Sequence, residues 1–163
     1  MVLECVSVFF MVAVAAAIAT IIVDTKKRNN SSISFKEGME LTELPVVTFY
    51  NNSKKVNFLL DTGSNNSIIN KKDLKGLNYE KHNCSINTFG MEGKAVESSV
   101  CSMIIGYKNN EFTNEFTILD MNEAFNRIKS ESGVTINGIL GSKFFEKYKY
   151  VLDFAELIAY SKK

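Results

Sequence analysis

The sequence predicts a mainly β domain with short helices, preceded by one N-terminal helix that is long and apolar enough to span a membrane. Two observations predict the β domain. From about residue 41 to residue 160, short apolar runs are separated by turn-forming residues, and several of these runs alternate between apolar and polar positions. The membrane helix is predicted by a third observation, because Cys5–Val23 contains no charged residue.

The N-terminal apolar run is nineteen residues long and is followed by Asp24. As a helix it would be about 28 Å long, close to the thickness of a bilayer's hydrocarbon region. A cleaved signal peptide is the alternative, but no Lys or Arg precedes the run, which is longer than a usual signal core. A buried core helix is less favoured still, since no polar face interrupts the run. We therefore predict a single-pass membrane anchor through residues 5–23.

The basic residues Lys26, Lys27 and Arg28 follow this run. Before it, the terminal amine is the only basic group. The positive-inside tendency therefore predicts that the C-terminal part lies in the cytoplasm. Asn29–Gly38 is polar and has no periodicity, which is typical of a linker. The predicted organisation is an anchor with its basic flank over 1–28, a polar linker over 29–40 and the β domain over 41–163.

Within the domain, turn signals define the predicted strands. Leu44–Tyr50 and Val56–Leu60 flank Asn51–Lys54, a pattern that predicts a hairpin. Thr88–Gly93 contains two glycines and precedes an alternating stretch that reaches Tyr107. A further alternating stretch, Glu111–Leu119, predicts another strand.

The C-terminal third combines two predicted helices with a closing hairpin. Asp120–Ser130 places four apolar residues on one helical face, namely Met121, Ala124, Phe125 and Ile128. After Gly141, Ser142 is predicted to cap a short helix. Tyr150–Phe154 and Leu157–Tyr160 then predict a hairpin that turns at Ala155 and Glu156.

Composition excludes several classes of function. Nineteen basic and eighteen acidic side chains leave a formal charge of +1, and no basic run is interleaved with aromatics, so no nucleic-acid partner is predicted. Cys5, Cys84 and Cys101 show no metal-ligand spacing, so neither a metal nor another cofactor is predicted. His82 is the single histidine, and its polar neighbours predict an exposed loop rather than part of a Ser-His-Asp or Cys-His pair.

The candidate chemistry lies where the second predicted strand ends, at Leu59-Leu60-Asp61-Thr62-Gly63-Ser64. A lone charged carboxylate would be costly to bury at the end of an apolar strand, which suggests a functional reason for Asp61. An ordinary exit from strand to turn remains an alternative, since Asp, Gly and Ser are common turn residues. A calcium loop is disfavoured because its twelfth position, which needs a bidentate Glu, is Lys72.

The segment Leu59–Ser64 resembles the active-site loop of aspartic peptidases. Gly138-Ile139-Leu140-Gly141, about eighty residues later, resembles the second signature of the same enzymes. The order of these segments, with the glycine-rich Thr88–Gly93 between them, is similar to the retroviral-type, single-lobe (retropepsin-like) branch. The resemblance covers about Leu44 to Tyr160 and implies a small closed antiparallel β domain that hydrolyses peptide bonds.

The resemblance implies a role for each matching residue. Asp61 would be the catalytic carboxylate, and Thr62 would hydrogen-bond to the loop of a partner chain. Gly63 would leave space for the backbone, while Ser64 would donate a hydrogen bond to the carboxylate. The apolar pair and glycine behind the loop would be Ile139, Leu140 and Gly141. The flap over a bound peptide would be Thr88, Phe89, Gly90, Met91, Glu92 and Gly93.

A carboxylate mechanism of this type needs two acids, because two adjacent carboxyl groups that share one proton can act as base and acid together. The sequence contains one Asp-Thr-Gly, so a homodimer is predicted to supply the second. Retroviral members usually carry an Asp and an Arg where this chain has Asn65 and Ser142, which removes an ion pair near the dimer interface. The alternative function is a non-catalytic, membrane-tethered domain of the same fold that binds an extended peptide.

Overall fold

The computed structural model describes the backbone of residues 32–89 and 95–162, and the side chains of residues 32–83 and 98–162. The strands are β1 (Val46–Asn51), β2 (Lys54–Leu60), β3 (Ile68–Asn70), β4 (Glu80–Phe89), β5 (Ala95–Tyr107), β6 (Asn110–Leu119), β7 (Gly138–Leu140), β8 (Tyr150–Asp153) and β9 (Ile158–Ser161). The α-helices are α1 (Phe35–Thr42), α2 (Asn122–Ser132) and α3 (Ser142–Tyr148), and a short 3-10 helix covers Lys71–Leu74.

Seven strands form one sheet in the order β1-β2-β7-β3-β6-β5-β4, and β8 pairs with β9 in a separate two-stranded sheet. Tyr50 of β1 also pairs with Gly106 of β5, which closes six of the strands into a barrel and leaves β4 outside it. The prediction of a small, closed, mainly β domain with short helices is therefore confirmed. The strand pairs β2–β7 and β3–β6 are parallel, a departure from the predicted antiparallel arrangement.

The barrel encloses an aromatic core because alternate residues of its strands point inward. On β2 the buried positions are Val56, Phe58 and Leu60. The Phe49 ring of β1 lies within 6.3 Å, centroid to centroid, of five other rings: Phe58, Tyr107, Phe112, Phe144 and Tyr150. The core therefore joins β1 to β2, β5, β6, α3 and β8.

The segment before β1 corrects the predicted polar linker for residues 32–40. Ser34 caps α1, because its hydroxyl accepts a hydrogen bond from the Glu37 N–H while the Glu37 side chain accepts one from the Ser34 N–H. Ile33 and Phe35 on either side are buried. The Ser-x-x-Glu pattern is a capping box, a helix-start signal that the polar composition of this stretch obscured.

The two later helices agree with the predicted positions, with one correction at a helix start. Helix α2 buries Phe125, one of the four predicted apolar positions. Helix α3 begins at Ser142, and its N-cap is Gly141, which has no side chain to cap with. Ser142 therefore does not cap the helix; its N–H instead donates to the Ser64 carbonyl oxygen at 2.7 Å.

His82 lies in strand β4 and is half-buried, which corrects the prediction of an exposed loop. Its Nε2 is 2.8 Å from the Ser102 hydroxyl, and its Nδ1 is 3.7 Å from a Glu115 carboxylate oxygen. The charged residues around His82 belong to a polar strand surface, since β4 lies outside the closed barrel.

The predicted membrane anchor, Cys5–Val23, and residues 29–31 of the predicted linker lie outside the described residues. Among the residues that the structure does describe, no helix is long and apolar enough to cross a bilayer.

Candidate active site

Asp61 is placed by the parallel pairing of β2 with β7. Leu59 pairs with Ile139 and Leu60 with Leu140, so the strand that carries the acid runs beside the predicted second signature. Directly after β2, the Asp61 N–H donates to the Leu140 carbonyl oxygen at 3.0 Å. The predicted proximity of Asp61 to Ile139, Leu140 and Gly141 is thus present, and the carboxylate is half-buried.

The loop after Asp61 folds back on its carboxylate. The Gly63 N–H donates to Asp61 Oδ1 at 2.9 Å, and the Ser64 N–H donates to the Asp61 carbonyl oxygen at 3.3 Å. The Ser64 hydroxyl donates to the Asn66 carbonyl oxygen at 2.8 Å rather than to the carboxylate, which corrects the expected role of Ser64. Thr62, at the outer side of the loop, is exposed. The turn therefore leaves Asp61 with one backbone donor and an accessible side.

The loop rests on the junction between β7 and α3. The Gly141 N–H donates to the Ser67 hydroxyl at 3.1 Å, the Ser142 N–H to the Ser64 carbonyl oxygen at 2.7 Å, and the Lys143 N–H to the Asn65 carbonyl oxygen at 3.3 Å. These bonds connect residues almost eighty positions apart. We call the segment Asp61–Ser67 together with Gly138–Lys143 the loop bed, since it sets the position of the carboxylate.

Two of the three glycines in the loop bed, Gly138 and Gly141, are required by close backbone approach. A Cβ atom at Gly141 would lie 2.6 Å from the Asn66 carbonyl oxygen, and one at Gly138 would lie 2.4 Å from the Ile68 carbonyl oxygen. Neither neighbour can move independently, because both are backbone atoms of the segment that follows Asp61. The Gly-Ile-Leu-Gly sequence is therefore explained by the space that the loop occupies.

Three residues of the loop bed were not singled out from the sequence: Asn66, Ser67 and Lys143. The buried Ser67 accepts the Gly141 N–H, and the Lys143 ammonium group donates to Asn66 Oδ1 at 2.9 Å. At the positions where retroviral members have an ion pair, Asn65 and Ser142 contribute backbone bonds to the loop instead. Small polar residues are common in turns, so nothing in their identity distinguished them.

The predicted flap lies only partly within the described residues. Thr88 and Phe89 are the last two residues of β4, where they pair with Val96 and Ala95 of β5. Gly90, Met91, Glu92 and Gly93 lie outside the described residues. Strands β4 and β5, which precede and follow these four residues, are antiparallel, as the two strands of a β-hairpin flap must be.

Comparisons with known proteins agree with this geometry. The family described as aspartyl protease matches residues 46–144, which contain β1, the Asp61 loop, β7 and the start of α3. The chain belongs to the aspartyl protease family. The chain is therefore an aspartic protease, and its closed β domain has the retropepsin-like fold.

Two solved structures show similar folds. The retroviral protease-like domain of Ddi1 from Leishmania major is 14% identical, with 74% of this chain and 89% of that chain covered and a TM-score of 0.50. The EIAV protease, solved with the inhibitor HBY-793, is 18% identical, with 68% of this chain and 93% of that chain covered and a TM-score of 0.49. A search of curated proteins found no match.

Proposed function

We propose that this chain is a membrane-anchored homodimeric peptidase in which the Asp61 carboxylates of two copies activate one water molecule. The observation that carries the proposal is the half-buried Asp61, the acid of the sequence's single Asp-Thr-Gly, on a loop fixed by β7. One copy supplies one such acid. A twofold axis beside the loop would bring the second acid to the same water.

The proposed reaction proceeds in two steps on an extended peptide. One Asp61 carboxylate takes a proton from the water, whose oxygen attacks the carbonyl carbon of the scissile bond, while the protonated Asp61 of the other copy gives its proton to the carbonyl oxygen. The first Asp61, which is now protonated, then gives its proton to the amide nitrogen as the C–N bond of the tetrahedral diol breaks, and the other Asp61 carboxylate takes a proton from the diol. Two acids that share one proton suit this exchange, because each can act as donor or acceptor.

Exposed apolar residues on the second sheet support association between copies. The large apolar side chains Phe154, Ile158 and Tyr160 are 56%, 46% and 37% exposed, and all three lie in or beside the hairpin of β8 and β9. Exposed apolar side chains of this kind are suited to a contact between copies.

The proposed anchor is the uncharged run Cys5–Val23, with the peptidase domain on the cytoplasmic side according to Lys26, Lys27 and Arg28. Membrane attachment would raise the local concentration of the copies and favour a weak dimer. Protease protection of intact cells tests this orientation, because digestion of the domain from outside would contradict it.

The test of the shared site is to mix wild-type chains with Asp61→Asn chains. Asn keeps the size of Asp, so the variant is expected to fold and to pair but to contribute no working acid. With equal amounts and random pairing, roughly one quarter of the dimers would be fully wild type. Peptidase activity per total protein should therefore fall to about one quarter, whereas self-sufficient chains would retain about one half.

The matched control is Asp120→Asn, at an exposed aspartate that accepts a hydrogen bond from the Asn122 N–H before α2. Mixtures with this variant should retain full activity. Pairing of the differently tagged chains is measured in the same samples. If mixed dimers form and activity falls only to one half, the shared-carboxylate mechanism is wrong. If the wild type binds extended peptides without cleaving them and Asp61→Asn binds them equally, the chain is instead a peptide-binding domain.

A further inference from the structure

A group of lysines lies at the end of the barrel away from the catalytic loop. One groove of about 100 Å³ is lined by four exposed lysines, Lys54, Lys55, Lys72 and Lys75, and among the described residues its acidic lining residue is Asp73. Asp73 already accepts a hydrogen bond from the Asn70 side chain at 3.0 Å. We call these four lysines the basic patch, in which Lys54, Lys72 and Lys75 alone outnumber the acidic Asp73.

Two exposed apolar side chains lie beside the turn between β1 and β2. Tyr79 is 39% exposed and Ile104 is 53% exposed. The Asn51 side chain ties both backbones to this turn, because its Nδ2 donates to the carbonyl oxygens of Asn78 and Ile104, each at 2.9 Å. Asn51 is also paired with Lys54 across the hairpin. Apolar and basic side chains therefore occupy the same end of the barrel.

The chain enters the domain at this end. The Ser32 hydroxyl is hydrogen-bonded to the Tyr50 hydroxyl, and Tyr50 is paired with Lys55 across the β1–β2 hairpin. Directly opposed residues of a hairpin have Cβ atoms about 5 Å apart, so the entry point adjoins the basic patch. In the sequence, Ser32 is four residues after Arg28, the last of three consecutive basic residues that follow the uncharged run.

We propose that the basic patch, with Tyr79 and Ile104, docks on the surface of a membrane that contains anionic lipids. The proposal rests on the membrane anchoring proposed above, which would bring this end of the domain to the lipid surface. Lysines near an anionic leaflet are attracted to it, and exposed tyrosine and isoleucine side chains can enter the interfacial layer. Exposed lysines alone often form a solvated face, but here they share one end with apolar side chains and the chain entry.

Docking would hold the catalytic loop at a defined distance from the lipid surface. Strand β2 runs from Lys54 beside the patch to Leu60, directly before Asp61, a path of seven residues or about 23 Å when extended. A domain docked through the patch would therefore hold Asp61 about 20 Å from the lipid surface. The substrate class that fits this arrangement is a protein with an extended segment that can reach that height.

The experiment uses the full chain with Tyr79→Trp, because the natural sequence contains no tryptophan and the variant has one reporter at the docking surface. The protein is reconstituted into vesicles of phosphatidylcholine alone or with roughly one-third phosphatidylserine. Both contain lipids with brominated acyl chains, which quench a tryptophan that reaches the interface. We expect quenching on the anionic vesicles at low salt, and its loss at high salt, since salt screens the attraction.

The test variant is Lys72→Glu/Lys75→Glu in the same reporter background. Each lysine contributes about fivefold to the ratio of docked to undocked domain, so the double change should lower that ratio at least about 25-fold. The matched control, Lys143→Glu/Lys149→Glu, makes the same change in net charge, and both lysines line a groove that Asn66 and Ser67 of the loop bed also line. Lys143 contacts Asn66 in the loop bed, at the opposite end of β2. Quenching in this control should match the reporter protein.

Each result separates docking from anchoring. Failure of neutral vesicles to retain the chain would contradict the anchor, and docking would then be judged by salt-sensitive retention on the anionic vesicles. Equal quenching on both compositions, or no effect of the Lys72→Glu/Lys75→Glu change, would overturn the docking proposal. If inorganic phosphate at equal ionic strength abolishes quenching where chloride does not, the patch binds a soluble anion and the lipid assignment is wrong.

Discussion

The loop bed and the aromatic core are held together by different interactions. In the loop bed, backbone groups bond directly to backbone or hydroxyl partners, as in the 2.7 Å contact between the Ser142 N–H and the Ser64 carbonyl oxygen. In the aromatic core, Phe49 and its neighbours make ring contacts with centroids 5.1–6.3 Å apart. The loop bed therefore depends on directional hydrogen bonds and on glycines that leave space for the backbone. The aromatic core depends on close packing of its side chains.

This difference decides which residues can be replaced. A position that is packed by volume accepts several apolar residues of similar size, because ring and methyl contacts have little directional preference. A glycine with a carbonyl oxygen 2.4–2.6 Å from its missing Cβ accepts none of them. The loop bed therefore requires particular residues at fixed positions, which can be recognised as a motif. The aromatic core requires only apolar residues of suitable size, which can be recognised only from composition.

The largest loss of stability is expected from the centre of the aromatic core. Phe49→Ala should lower the free energy of unfolding by about 4 kcal/mol, since Phe49 is fully buried and the neighbouring rings cannot all close the cavity. Urea denaturation measures the change. The control is Phe154→Ala, at a ring that is 56% exposed, where the loss should stay below about 1 kcal/mol. Equal losses for the two variants would mean that the core is not centred on Phe49.

A smaller loss of stability, but a larger loss of function, is expected from the loop bed. Gly141→Ala should cost about 2–3 kcal/mol, because the new methyl group must displace the Asn66 backbone. Since that segment positions Asp61, peptidase activity should also fall by about 100-fold in protein that remains folded. Gly106→Ala is the matched control, because its Cβ would meet nothing closer than 3.7 Å. Full activity in folded Gly141→Ala would show that the bed does not set the carboxylate's position.

The sequence predicted the candidate site by resemblance and the hairpins by local pattern. Asp61 and the Ile139-Leu140-Gly141 strand are about eighty positions apart, and they were predicted to lie together only because both segments resemble signatures of aspartic peptidases. The hairpins on either side of Asn51–Lys54 and of Ala155-Glu156 were also predicted, and the structure has β1–β2 and β8–β9 there. For each hairpin, a turn signal and an apolar run lie next to each other in the chain.

The missed features depend on partners that are distant in the sequence. The parallel pairing of β2 with β7 joins residues eighty positions apart, and no local pattern distinguishes a parallel partner from an antiparallel one. The Ser64 hydroxyl was expected to bond to the carboxylate, but the turn brings the Asn66 carbonyl oxygen within 2.8 Å of it. Helix α1 was missed for another reason, since polar composition outweighed the capping box at Ser34 and Glu37.

The smallest effect is expected from the polar atom that the aromatic core leaves unpaired. Tyr150 is buried, and among the residues that the structure describes its hydroxyl has no hydrogen-bond partner. Such a group costs free energy that Phe avoids, so Tyr150→Phe should stabilise the fold by about 1 kcal/mol at neutral pH. The control is Tyr148→Phe, which loses a 2.5 Å hydrogen bond to the Thr113 carbonyl oxygen and should destabilise by about 1 kcal/mol.

The pH dependence sharpens the same prediction. Burial, and to a lesser extent the charge of Tyr107, raises the pKa of Tyr150 above its ordinary value of 10.0. A raised folded-state pKa gives a contribution to stability that is complete below about pH 10 and is lost as the pH rises, because the unfolded tyrosine ionises first. Burial also raises the pKa of Tyr107, and that of Cys101 to about 11, so the wild type and the Tyr150→Phe variant should both lose stability in alkali.

The measurement is the urea midpoint at pH 7 and at about pH 11. The wild type should lose more stability at the alkaline pH than Tyr150→Phe does. Equal losses, or destabilisation by Tyr150→Phe at pH 7, would mean that the hydroxyl has a partner in solution, and the core would then resemble the loop bed in satisfying its polar groups.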